Sequence, residues 1–128
     1  MIKVSVIKQS NYPVASPFLK KKLSAFFKKQ GITSDAEVSV AIVGETKMLS
    51  STRAYLKDRK LHNVLSFTPE EVKDKFVYPP DGVLRLGEII VCYPVALSEA
   101  RKEGKLINDK VYELLEHGAM HLLGLHHE

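Results

Sequence analysis

The stretch His117-Gly-Ala-Met-His121-Leu-Leu-Gly124-Leu-His-His127-Glu128 contains four of the five histidines of this 128-residue chain. His117 and His121 are four residues apart, so on a helix they project from the same face, one turn above the other. Gly124 stands where a helix commonly ends, because glycine adopts the left-handed conformation of a C-terminal cap without steric cost. A chain that reverses there can bring His127 back toward the first two histidines. The spacing therefore predicts a metal site with the ligands His117, His121 and His127.

Three neutral imidazoles leave a fourth position open for water, which is typical of a catalytic zinc rather than a closed structural one. Two simpler explanations are an expression tag and a helix end at which histidines favour the negative pole of the helix dipole. A tag is a contiguous run of histidines, whereas these are separated by apolar residues and a glycine. A metal ion in such a site activates water and neutralises an anionic transition state, which favours peptide or phosphodiester hydrolysis.

The spacing H-x3-H-x2-G-x2-H also matches that of the metzincin proteases. Those enzymes have a glutamate directly after the first histidine, where it acts as the general base. This chain has Gly118 at that position. Without the carboxylate the protease interpretation loses its proton acceptor, and it is disfavoured.

Composition indicates an ordinary globular chain, which we expect to form one domain over residues 1–128. The formal net charge is +4 and charged residues make up 27% of the sequence, a mild bias toward polyanionic partners. Cys92 is the single cysteine, so an internal disulfide is impossible and a reducing cytoplasm is expected. The first residues alternate like a strand rather than forming a signal peptide, and no stretch is long enough to span a membrane.

The order of periodic segments predicts a mixed α and β fold. Alternating or short apolar runs predict four strands, at residues 2–6, 37–43, 63–67 and 87–92. Helices are predicted to start at the caps Ser16, Thr46 and Asn108 and at Pro94, and Gly31 and Gly104 are predicted to end the first and third. A long connection at residues 68–86 contains the turn Pro79-Pro-Asp-Gly82, which suits a small hairpin.

Three segments of the chain resemble the YbeY family of metal-dependent endoribonucleases. The histidine stretch at residues 117–127 resembles the signature H-G-x-L-H-L-x-G-Y-D-H. Residues 63–67, Asn-Val-Leu-Ser-Phe, resemble the D/N-V-L-S-F strand, and residues 86–91, Leu-Gly-Glu-Ile-Ile-Val, resemble the L-G-D-I-x-I strand. Order and separation also agree, and the similarity runs from about Leu49 onward.

The resemblance implies an α+β domain with a small mixed sheet of about four strands, one of them antiparallel, and about four to five helices. It implies one Zn²⁺ held by His117, His121 and His127, with Ni²⁺ from purification able to occupy the same ligands. The implied activity is cleavage of single-stranded RNA in ribosomal RNA maturation and ribosome quality control. The implied partners are precursor ribosomal RNA, the small ribosomal subunit and its assembly factors.

Departures from the family pattern define the candidate catalytic residues. The family has an arginine directly after the aromatic residue that ends its second helix, whereas here Tyr55 is followed by Leu56, which leaves Arg59 and Arg53 as candidates to bind a phosphate. His126 replaces the signature's aspartate and is a candidate donor to a phosphate when protonated, or a competitor for the metal. Glu88 is a candidate acceptor behind a ligand or a proton shuttle, while Ser66 is disfavoured as a nucleophile.

Two other functions stay open at this level. In one, the chain is a non-catalytic ribosome assembly factor whose metal only ties the last helix to the residues after it. In the other, the metal hydrolyses a different ester or amide, since an open metal position does not by itself select a substrate.

Overall fold

The computed structural model describes residues 1–72 and 81–125 and shows a four-stranded mixed sheet with helices on both faces. The strands are β1 (Ile2–Lys8), β2 (Ala36–Val43), β3 (Val64–Phe67) and β4 (Leu84–Cys92). The helices are α1 (Ser16–Lys29), α2 (Glu45–Tyr55), α3 (Tyr93–Glu103) and α4 (Ile107–Leu122), and a short 3₁₀ turn covers Gln9–Asn11. Within the described ranges, none of the helices has both the length and the apolarity to cross a bilayer.

The strand order is β1-β2-β4-β3, in which β1, β2 and β4 run parallel and β3 is antiparallel to β4. This confirms the predicted mixed sheet with one antiparallel strand. β4 begins three residues earlier than predicted and contains an irregularity in its pairing with β2, opposite Glu37 and Val38. Gly87 lies at this point with φ of +133°, and a Cβ there would come within 2.2 Å of the carbonyl oxygen of Phe67. The close approach of β3 to β4 therefore requires glycine.

Alternation along the strands divides the core into two layers. One face of the sheet packs against α1 and α4, and its cluster includes Val40, Ile89 and Val91 together with Leu23 and Leu115. The other face packs against α2 in a smaller cluster made of Val43, Met48, Leu65, Phe67, Ile90 and Cys92. Side chains at successive positions of one strand thus belong to different layers.

Three of the predicted helix caps are wrong. Ser16 is the first residue of α1 rather than its cap, and α2 begins at Glu45 after Gly44, ahead of the predicted cap Thr46. Asn108 lies inside α4, and its side-chain oxygen accepts a hydrogen bond of 2.8 Å from the backbone N–H of Ala15. Asn108 therefore stabilises the start of α1, a long-range role that a local capping rule does not predict.

The C-terminal ends of α3 and α4 agree with the predictions. Gly104 is left-handed after α3, and Gly124 is left-handed after α4 with φ of +73°. The N–H of Gly124 donates to the carbonyl oxygen of His121, and the N–H of Leu125 donates to that of Met120. These two bonds form a Schellman motif, which ends α4 directly after its two histidines.

Candidate metal centre

Helix α4 carries two of the three histidines that the structure describes, His117 and His121, and the third, His62, lies before β3. Its buried stripe contacts the sheet through residues that include Val111, Leu115 and Leu122. His117 and His121 are exposed and lie one turn apart. They therefore sit at the margin between core and solvent, where a metal ion can reach them from water.

Gly118 lets α4 approach the sheet closely beside these histidines. A Cβ on this residue would lie 2.8 Å from Cγ2 of Ile89 on β4 and 3.3 Å from Cβ of Ser66 on β3. Ordinary carbon–carbon contacts are about 3.5–4.0 Å. A larger side chain does not fit here without moving the helix, which is a steric reason for the glycine where metzincins place glutamate.

Ser66 is the residue of β3 that contacts the histidine helix. It pairs with Ile89 of β4 and points to the α4 side of the sheet, where its Oγ lies 2.8 Å from Nδ1 of His121. When Nδ1 carries the proton and donates it to Oγ, the lone pair of Nε2 is left for a metal ion. The sequence identified Ser66 as a polar residue of a matched strand but gave no sign of this partner.

Glu71 lies on the other side of the same imidazole. Its Oε1 is 3.2 Å from Nε2 of His121, and both side chains are a little under half exposed, 44% and 46%. The hydrogen bond from the Thr68 backbone N–H is the main cause that lowers the pKa of Glu71, and His121 lowers it further. Nε2 of His121 thus faces an ionised carboxylate.

Glu71 is held in place by a reciprocal pair of hydrogen bonds. The Thr68 N–H donates to Glu71 Oε1 at 2.9 Å, and the Glu71 N–H donates to Thr68 Oγ1 at 3.3 Å. This is the pattern of a capping box. Sequence analysis missed Glu71 because it lies in the long connection beside Glu70, although the spacing Thr-x-x-Glu was a usable signal.

The described residues include two of the three predicted ligands, His117 and His121, on successive turns of α4. His126 and the third predicted ligand, His127, lie outside them, as do Pro79 and Pro80 of the predicted hairpin turn. Within residues 1–72 and 81–125, no group of three or more His, Cys, Asp or Glu side chains is close enough to share a metal ion. The donor chemistry of His121 and Glu71 nevertheless fits a divalent cation, since an imidazole nitrogen and a carboxylate oxygen face each other.

Glu88 is placed away from this site. It pairs with Ser39 and Phe67 on the α2 side of the sheet, whereas its neighbour Ile89 faces α4. There it lines a cleft of about 240 Å³ together with Glu37 and Arg85. That Glu88 supports the metal site stays a prediction, and among the described residues it accepts no hydrogen bond from His117 or His121. The reason is strand alternation, which puts adjacent residues on opposite faces.

Arg59 lies in the exposed connection between α2 and β3. Together with Arg53, Lys57 and Asp58 it surrounds a shallow depression on the surface. No hydrogen bond or ion pair joins Arg59 to His117 or His121 in the part of the chain that the structure describes. Its proposed contact with a phosphate stays a prediction.

A family model described as endoribonuclease YbeY matches residues 6–128. The chain is 36% identical over 123 residues to endoribonuclease YbeY of Dehalococcoides mccartyi strain BAV1, a match that covers 90% of this chain and 77% of that protein. It is 34% identical over 110 residues to endoribonuclease YbeY of Acinetobacter baumannii strain ATCC 17978, covering 86% of this chain and 68% of that protein.

A solved structure agrees with the fold. The solution structure of TM1509 from Thermotoga maritima aligns with a TM-score of 0.60 and 25% sequence identity. The alignment covers all of this chain and 75% of that one.

Proposed function

This chain belongs to the YbeY endoribonuclease family, and we propose that it cleaves single-stranded RNA with a bound metal ion during ribosomal RNA maturation and ribosome quality control. The proposed ion is Zn²⁺, held by His117, His121 and His127. The observation that carries this proposal is the imidazole of His121, with Ser66 at one ring nitrogen and Glu71 at the other. An orienting partner of this kind is usual for a histidine that binds a metal.

When bound, such an ion polarises a phosphoryl oxygen and activates water. The role of the protein is to hold and orient the side chains around the ion. Ser66 Oγ can accept the Nδ1 proton of His121, which would leave the lone pair of Nε2 for the ion, and Gly118 lets α4 come close enough to the sheet for this hydrogen bond. Arg59, with Arg53 nearby, is proposed to bind an RNA phosphate, and His126 is proposed to donate to a phosphate when protonated.

The proposed partners are precursor ribosomal RNA, the small ribosomal subunit and its assembly factors, in the cytoplasm. The net charge of +4 supports a polyanionic substrate. If RNA phosphates are contacted by several Lys and Arg side chains, binding should weaken steeply as salt rises.

Substitution of His121 tests the proposal. We expect His121→Ala to lose both metal binding and metal-dependent cleavage of single-stranded RNA, because the variant lacks one ligand of the site. His62→Ala is the matched control, since His62 pairs with Asp58 in a different part of the chain. Unchanged cleavage by His121→Ala would refute the proposal and point to a contaminating nuclease.

A melting experiment separates the catalytic role from a purely structural one. Metal bound only to the native state stabilises it, so a chelator should lower the melting temperature in either case. Metal-dependent RNA cleavage together with a lower melting temperature in chelator supports the nuclease function. A large shift without any cleavage would favour the non-catalytic assembly factor.

A further inference from the structure

Helix α1 carries the positive charge that the rest of the chain lacks. Five of the 19 Lys and Arg residues lie on this helix, and it contains no Asp or Glu. Without these five, 14 basic residues stand against the 15 acidic residues of the chain. The formal net charge of +4 is therefore located on one helix. The five residues, named the α1 lysine face below, are Lys20, Lys21, Lys22, Lys28 and Lys29.

The α1 lysine face covers the solvent side of the helix. All five side chains are exposed, while the opposite side of α1 is buried in the core between helices and sheet. Lys21 and Lys28 are seven residues apart, as are Lys22 and Lys29, so each pair lies two turns apart, about 10 Å along the helix axis. Ala25, which is exposed between the two turns, is small and leaves the surface low between the lysines.

Acidic side chains do not neutralise this surface. Within residues 1–72 and 81–125, none of the five lysines forms an ion pair with a carboxylate. Nζ of Lys22 lies over the rings of Phe18 and Tyr112, 5.2 and 4.5 Å from their centroids, and this cation–π contact leaves its charge in place. Helix α3, in contrast, carries both acidic and basic residues, as solvated helices usually do.

The α1 lysine face extends toward the end of the molecule that holds the histidines of α4. The two helices run in the same direction, since Ala15 before α1 is hydrogen bonded to Asn108 at the start of α4. At their other ends, Ile32 shortly after α1 and Leu122 at the end of α4 line one surface depression. The last two lysines of α1 and the two histidines of α4 therefore lie at the same end of the domain.

We infer that the α1 lysine face binds the phosphates of single-stranded RNA and guides the strand toward the histidines, an inference that rests on the function proposed above. A surface of one sign along a helix is the electrostatic footprint of a protein that binds nucleic acid. Such contacts add affinity and position the strand without reading its bases. A membrane surface fits less well, because none of the large hydrophobic residues that are exposed in the described ranges lies on α1.

The salt dependence of RNA binding by a double variant, Lys21→Gln with Lys28→Gln, tests this inference. Glutamine removes the charge and has a helix propensity close to that of lysine, so α1 is preserved. The probe is fluorescently labelled oligouridine, titrated with chelator present so that binding is measured without metal-dependent cleavage. For a single strand, each lost phosphate contact lowers the slope of log affinity against log salt by about 0.7. We expect the slope to fall by about 1.4 and the affinity at about 0.15 M salt to fall about tenfold.

Two further variants serve as controls. Lys47→Gln with Lys102→Gln removes the same charge from exposed positions on α2 and α3 and should keep the slope of the parent. Lys21→Arg with Lys28→Arg keeps the charge on α1 and should also keep it. Equal affinity and slope in the two glutamine variants would overturn the inference, because net charge alone would then explain binding.

Vesicles of phosphatidylcholine and phosphatidylserine test the other polyanion. The inference predicts that the parent binds oligouridine and that substitution of Lys21 and Lys28 weakens this binding. If the glutamine substitutions at these two positions abolished vesicle binding but left oligouridine binding unchanged, α1 would be a membrane-binding surface and the inference would be wrong.

These outcomes are distinct from failure of the proposed function. That failure appears as RNA cleavage that survives in His121→Ala. Failure of the present inference appears in RNA binding measured without cleavage, with His121→Ala still inactive.

Discussion

Removing the hydroxyl of Ser66 should weaken metal binding with little effect on the metal-free fold. Ser66 Oγ lies 2.8 Å from Nδ1 of His121, and when Nδ1 donates its proton to Oγ the lone pair of Nε2 is left for the metal ion. A hydrogen bond of this kind contributes about 0.5–1.5 kcal/mol net. Since 1.4 kcal/mol corresponds to about tenfold in an equilibrium constant, we expect Ser66→Ala to lose roughly tenfold in Zn²⁺ affinity.

Ser66→Ala should change the stability of the metal-free protein less than it changes Zn²⁺ affinity. The His121 side chain is 46% exposed, so water can replace the lost hydroxyl at Nδ1. We expect Ser66→Ala to lower the free energy of unfolding without metal by about 0.5 kcal/mol, the low end of the range for one hydrogen bond. Chemical denaturation in the presence of chelator measures this change.

Ser39→Ala is the matched control for this experiment. Ser39 is also a strand serine of the same sheet, but it pairs with Glu88 on the α2 face, away from the histidines. Competition with a chelating dye gives both affinities under one set of conditions. If Ser66→Ala binds Zn²⁺ as tightly as Ser39→Ala, the hydroxyl does not orient the ligand and the reasoning fails.

Two further substitutions test the packing around the site and the charge network at the other end of α4. Gly118→Ala should destabilise the protein by about 1 kcal/mol, because overpacking of about 1–3 kcal/mol exceeds the roughly 1 kcal/mol gained in helix propensity. Denaturation measures this, and a more stable variant would contradict the close contact with Ile89. Lys110 is buried and forms ion pairs with Glu103 and Glu113. Its hydrogen bond to Glu103 is the main reason why the pKa of Glu103 lies below the ordinary value of 4.5. A carboxyl group whose pKa is lower in the folded protein than in the unfolded chain stabilises the fold at pH above its unfolded-state pKa. That stabilisation is lost as the pH falls from the unfolded-state pKa through the folded-state pKa. Melting of Lys110→Met should therefore depend less on pH below about 4.5 than melting of the parent, and equal slopes would refute this.

Sequence periodicity predicted the strands and helix ends whose pattern lies within one short segment of the chain. The alternation of Val38, Val40 and Ile42 identifies β2, and the glycines Gly104 and Gly124 mark helix ends because only the left-handed conformation of the residue itself is needed. The pairing of His117 with His121 on one helical face follows from the same kind of rule. Local geometry was sufficient in each case.

Features that depend on contacts between distant segments were not predicted. Asn108 was predicted to cap its own helix, but its side-chain oxygen accepts a hydrogen bond from the backbone N–H of Ala15, 93 residues earlier. Glu71 contacts His121 because β3 lies next to α4 in the fold. A sequence pattern within one segment cannot show that these two elements are neighbours. Glu88 was assigned to the site from its matched strand, whereas the register of β4 sends its side chain to the opposite face.

Anomalous diffraction from crystals of the metal-loaded protein is the most direct test of the proposed centre. We predict one strong peak within about 2.0–2.2 Å of ring nitrogens of His117, His121 and His127. A peak elsewhere, or a metal bound without His121, would contradict it.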